Sequence, residues 1–275
     1  VELVAHVSNF HYRKGGLWNI IELGTPAQID QVRLRKISRD YFLAGSFLLI
    51  GLYHLFIWLF LRQRLPVLFG AFCLLVVVRI LTTGEHAIQV WWSWPWTAVI
   101  HAELLSFFLM VPVFTAFSHQ AFPDETSPLM SRFFIVAGVL FSALAVLFPP
   151  VVFTYAIRPF QVLLVIAFVY GLWTYTRALR RRRSGSIYYL LGFLILFAAV
   201  LNDILFTSFF VRTGHYFYVG LFVFIFSQAI ALSKQFSQGF ENLETANRKL
   251  GAANRELAVL NEQMSLKNQA IEEKN

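Results

Sequence analysis

Seven long apolar runs separated by short polar stretches fill the middle of this chain, at about residues 41–61, 66–83, 97–118, 133–148, 157–175, 187–207 and 216–233. Most approach the roughly 20 residues a helix needs to cross about 30 Å of hydrocarbon. Lipid offers no partner for a free N–H or C=O, so these runs are predicted as helices that bond their own backbone. The fourth is short and stops at Pro149-Pro150. A count of six spans, or a fourth span displaced toward Leu129, also fits the pattern.

The flanks follow other rhythms. Residues 1–24 alternate and contain Gly15-Gly16, which reads as the last strands of a β domain closing through a turn. Residues 25–40 predict a linker helix, with Thr25 as N-cap and Pro26 at the first helical position. Residues 234–275 are polar but keep a heptad: Leu243, Leu250, Leu257, Met264 and Ile271 recur every seventh residue, and so do Asn247, Asn254, Asn261, Asn268 and Asn275. With the leucines at d, Phe240 and the asparagines occupy a. An a-position Asn pairs with its own copy across a parallel dimer, at a cost in stability. Five in succession make a weak seam. Ala246, Ala253 and Leu260 offer a second stripe beside the same leucines. Exchanging one stripe for the other turns each helix by roughly 50°, so one tail could support two packings. The predicted fold is an all-α membrane protein: a seven-transmembrane helix bundle with a short N-terminal β remnant and a C-terminal parallel coiled coil.

Composition agrees with a lipid environment. Of 275 residues, 57% are hydrophobic and 14% charged, with 30 phenylalanines. A soluble domain of this length could not cover so much apolar surface. The net charge of +8 would suggest nucleic acid in a soluble protein. Here the cations sit in clusters flanking the spans, which reads as topology and anionic-lipid contact. "TRALRRRRSGS" carries five arginines and "RQR" follows the first span, while the opposite side shows "VWWSWPW". Basic loops stay in the cytoplasm. The expectation is a bacterial inner-membrane protein with its N-terminus periplasmic and its C-terminus cytoplasmic, although Arg33, Arg35, Lys36 and Arg39 run against the rule. Cys73 stands alone in an apolar run and is read as packing.

Charges inside a membrane face the protein interior. Arg79, Glu103, Asn202 and Asp203 fall at similar depth in the outer halves of their spans, near Glu85, His86, His101 and Arg158. The spacing suggests an Arg79–Glu103 pair with Asp203 facing Arg158 or Arg79. Such a set serves either as a structural network or as the floor of a ligand pocket. No close His/Glu spacing supports a metal site, and none is expected. Retinal needs a lysine buried mid-span in the last helix, and Lys234 lies at its edge, so no cofactor is expected. Asp203 has no second carboxylate and the serines no evident base, so no catalytic site is expected. An odd span number without paired broken helices weighs against a transporter or channel with a coiled-coil tail.

"RILTTGE" at 79–85, "AELLSFFLMVPVF" at 102–114, "NDILF" at 202–206 and "GLFVFIFSQAIALSKQFSQGFENLE" at 220–244 resemble the bacterial seven-transmembrane receptors with diverse intracellular signalling modules. "VSNFHYRKGGLW" at 7–18 is similar to the end of that family's periplasmic jelly-roll domain, itself like carbohydrate-binding modules. The resemblance implies a sensor that relays an external or membrane signal, with a glycan or lipid as conceivable ligand, through a helix to an output module. Those modules include histidine kinases, diguanylate cyclases, adenylate cyclases and serine phosphatases. "LKNQAIEEKN" resembles the linkers that precede histidine-kinase dimerisation helices.

Overall fold

A computed structural model describes residues 23–207, 213 and 216–272, with side chains as far as 264. The β reading of residues 1–24 lies outside the described residues apart from its last two.

The first helix begins where the sequence places its cap. Thr25 accepts a hydrogen bond from the Gln28 N–H at 3.4 Å, and the Gln28 side chain accepts from the Thr25 N–H at 2.9 Å. This is a capping box followed by Pro26 at the first helical position. Neither Gly nor Pro occurs between Ala27 and Ala44, and nothing else breaks the ladder. The predicted linker and first span are therefore one 36-residue helix, α1 (Pro26–Leu61). Arg62 ends it in the left-handed region, its N–H donating to the Trp58 carbonyl at 2.8 Å.

The chain continues through α2 (Arg64–Thr82), α3 (Trp96–Ala121) and α4 (Pro128–Leu147), then a single turn α5 (Pro150–Phe153). A short 3₁₀ segment leads on to α6 (Ile157–Arg180), α7 (Ser186–Thr207) and α8 (Phe217–Glu272). Seven of these helices are long and apolar enough to cross a membrane. The fourth span starts near Leu129, the displaced alternative, rather than at 133. Pro128 opens the helix and carries it past exposed Arg132, while the Ser127 N–H donates to the Tyr170 hydroxyl at 2.7 Å. The last span does not stop at the membrane edge. It is continuous with the polar tail for 56 residues.

Sequential helices pack as antiparallel neighbours, and the chain closes by bringing α8 against α1 and α6 against α3. Loop 83–95, the end of α7 and the start of α8 lie at one end, here the head. Loops 62–63, 122–127 and 181–185 lie at the other, from which α8 projects as a tail. One core gathers Phe47, Phe69, Phe72, Tyr175, Tyr189 and Phe224. A second gathers Phe108, Phe134, Phe153 and Phe160 between α3, α4, α5 and α6.

Burial from water cannot hold helices together in lipid, where close packing and small residues do. At the α1–α2 crossing, a Cβ on Gly70 would sit 2.9 Å from the Gly51 carbonyl. Pro112 interrupts α3, and α4 fits beside it only because residue 138 is glycine: a Cβ there would lie 2.4 Å from Pro112 Cδ. A proline ring cannot yield, so Gly138→Ala must push α4 away. The expected loss is about 1–3 kcal/mol, read as a lower melting temperature in detergent, and unchanged melting would refute the contact.

Candidate functional site

The head end gathers charged groups from helices that are distant in sequence, α1, α2, α3 and α7 among them. Arg79, in the last turn of α2, points its Nη1 at Glu103 of α3, 3.4 Å from Oε1 and 2.9 Å from the backbone carbonyl. The guanidinium also lies 4.8 Å from the Phe107 ring centroid. Carboxylate, carbonyl and ring together form the low-cost surroundings a partly buried arginine needs. Ser106 donates to the same Glu103 carbonyl at 2.9 Å.

Glu85 does not turn toward Glu103. It pairs with Lys36 of α1 at 3.4 Å. His86, in the left-handed region with φ 49°, places Nδ1 2.7 Å from the Thr82 carbonyl and so folds the chain back over the end of α2. Tyr41 donates to the Ala87 carbonyl at 2.9 Å and meets Trp91 edge-on. These contacts fasten loop 83–95 onto α1.

Asp203 serves the start of α8. Its carboxylate accepts the backbone N–H of Tyr216 at 2.8 Å and of Phe217 at 3.2 Å. It thus caps the N-terminus of α8 from the neighbouring helix, where free N–H groups and the helix dipole both favour an anion. Asn202 donates to Asp203 at 3.2 Å and accepts from Thr213 at 2.7 Å. Arg158 is exposed in the first turn of α6. That helix packs its buried face into the second core, which leaves the arginine at the edge of the apolar layer, where it keeps its hydration.

Three residues outside the predicted set belong to this cluster. Arg39 bonds Asp40 through Nε at 3.1 Å and Nη2 at 2.9 Å, and the Asp40 side chain is 1% exposed. The same guanidinium lies 4.0 Å from the centroid of the Tyr218 ring, in the first turn of α8. A signal was present in the sequence, since Asp40 is the one acid at the threshold of the first apolar run.

The tail end is tied by a second set that hydropathy did not reveal. Glu125, 1% exposed in the α3–α4 loop, accepts from Arg183 at 2.7 Å and faces Arg181 at 3.6 Å. Asp124 also pairs with Arg183. Gln235 of α8 donates to the Ser184 carbonyl at 3.2 Å and accepts from Tyr189 at 3.4 Å. The arginine-rich loop is thereby joined to α8 where the tail departs. His54 and His101 are packing groups: the first sits edge-on to Phe69 at 4.7 Å, the second against Phe153 at 4.8 Å. No group of three or more potential metal ligands occurs among the described residues.

The family model for 7TM diverse intracellular signalling matches residues 39–235, from the Arg39–Asp40 pair to Gln235. The chain belongs to that family. No curated protein and no solved structure matches it. Membership makes this a multi-pass membrane protein with a signalling domain, and both polar ends of the bundle fall within the matched segment. The stretch of α8 beyond Gln235, with the seam positions Phe240, Leu243, Asn247, Leu250, Asn254, Leu257, Asn261, Met264 and Asn268, lies past it.

Proposed function

We propose that the protein is a transmembrane receptor of the bacterial inner membrane, with its head end periplasmic and its tail cytoplasmic. It acts as a homodimer joined through the α8 tails. The signal is an extracytoplasmic or membrane-borne ligand, of which a glycan or a lipid fits the aromatic head end. The receiver is a cytoplasmic output module, with a histidine kinase preferred over a diguanylate cyclase, an adenylate cyclase or a serine phosphatase. No step of this relay needs a cofactor, and nucleic acid has no part in it.

The continuity of α8 carries this reading. The helix whose first turn is capped by Asp203 at the head is the same helix that emerges at the tail with an uncovered apolar stripe. Phe240, Leu243, Leu250, Leu257 and Met264 are 57–61% exposed on a single chain. A polar helix with such a stripe at heptad spacing needs a partner. Asparagines at successive a positions from Asn247 onward match best against their own copy in parallel register. The orientation follows from the arginines at the tail end and the exposed Trp91, Trp92, Trp94 and Trp96 at the head.

The test is proximity of the tails in native membranes. Asn247→Cys and Asn254→Cys, introduced separately, are expected to give crosslinked dimers at each position. Cys73 is fully buried and will not compete. Copies that never join at either position would overturn the dimeric relay.

A further inference from the structure

Two helices outrun the bundle, in opposite directions, and they touch each other. α1 extends beyond the head toward the N-terminal residues, and α8 extends beyond the tail. Their contact is compact. The Arg39 guanidinium lies over the Tyr218 ring, and Phe222 packs against Phe42 at 6.3 Å and Phe47 at 6.1 Å between ring centroids.

We propose that this contact is the input joint of the receptor: displacement of α1 passes directly to α8 through Arg39–Tyr218 and Phe42/Phe47–Phe222, bypassing the helices between them in sequence. The inference rests on the receptor reading above and names the regulation of its signalling helix.

The two faces of α8 differ in kind. Toward α7 it is interlocked. A Cβ on Gly220 would lie 2.4 Å from Ala199 Cβ, one on Gly192 would be 2.9 Å from Ser227 Cβ, and one on Gly185 would be 2.9 Å from the Ala231 carbonyl. Asp203 of α7 holds the first turn of α8 by two charge-assisted hydrogen bonds. Backbones this close cannot slide without collision, so α7 and α8 move as one body.

Toward α1, α8 meets rings and a cation. A guanidinium over a ring face has no single preferred bond direction. The Nε and Nη2 donors of Arg39 are already engaged by Asp40 Oδ1. The contacts that sliding would disturb here are the cation over the Tyr218 ring and the ring pairs of Phe222. Asp40 Oδ2 is buried without a hydrogen-bond partner, so a shift of α1 costs that oxygen no existing bond. The joint is soft along its surface yet close enough to push. Beyond it, the unbroken helix from Tyr218 to Asn254 carries the movement about 54 Å, at 1.5 Å per residue step.

The experiment reads the seam. In full-length protein in native membranes, crosslinking yields of Asn254→Cys and Ala253→Cys are compared, one position reporting the asparagine stripe and the other the alanine stripe. Tyr218→Leu is expected to change the 254-to-253 ratio by about fivefold, the weight of one cation–π contact. Tyr218→Phe keeps the ring and should keep the ratio. Phe222→Leu supplies a second break in the joint with a smaller change in volume. Phe134→Leu, in the core remote from both helices, should leave the ratio unchanged. Dimers that form normally but keep their ratio in both Tyr218→Leu and Phe222→Leu would overturn the joint and leave the receptor reading intact. An equal response to Phe134→Leu would also overturn it, by showing that any loosening of the bundle suffices. Absence of tail crosslinks in the unmodified background would remove the receptor reading itself, and the joint with it.

Discussion

Replacing Asn254 and Asn261 together with isoleucine is expected to lock the tail in its asparagine-stripe packing and abolish response to the signal. Each buried isoleucine contributes about 1.5–3 kcal/mol relative to an exposed one. Two per helix and two helices per dimer put the shift on the order of 5 kcal/mol, since the seam is incompletely dry. A change of that size moves an evenly poised two-state seam well past 99:1. The alanine stripe cannot answer it, because isoleucine at positions 254 and 261 is buried only in the first packing. The measurement is crosslinking at the neighbouring positions 247 and 246, with and without a stimulating membrane extract. A fixed, high 247-to-246 ratio is the expected result. A ratio that still moves as in the unmodified protein would show that the asparagines are not the source of the balance.

Glu103→Leu should be the most damaging single change at the head end. It takes from the partly buried Arg79 the carboxylate that faces it at 3.4 Å, while the Glu103 carbonyl and the Phe107 ring stay in place. Removing one partner of a buried pair costs about 3–5 kcal/mol. The side chains are 26% and 18% exposed, which places this case near 3 kcal/mol or below it. The double change Arg79→Leu with Glu103→Leu removes both charges and should recover most of the loss, since two leucines suit the apolar layer. Thermal unfolding in nanodiscs across the four proteins gives the coupling directly. A double variant less stable than Glu103→Leu alone would mean the two charges do not compensate one another.

The head-end cluster illustrates what kind of information a sequence holds. Depth along a span placed Arg79 and Glu103 level with each other, because rise per residue is fixed and both helices start from a membrane surface. Depth says nothing about azimuth. It could not tell that Asp203 caps its neighbour, nor that Glu85 turns to Lys36. Glu125 was invisible for a related reason: "PDET" reads as an ordinary polar loop until the arginine loop is folded beside it.

Hydropathy alone determined that this is a helical membrane protein of six or seven spans, and periodicity alone determined the heptad stripe of its tail, because both are properties of consecutive residues. The bundle's closure decided the rest. It set Arg39 over Tyr218 and Phe222 against Phe42, residues from the first and last spans that become neighbours only when α8 returns to α1. It also decided which helices interlock and which can slide. That depends on a glycine meeting a backbone atom across an interface, and no local pattern encodes such a meeting.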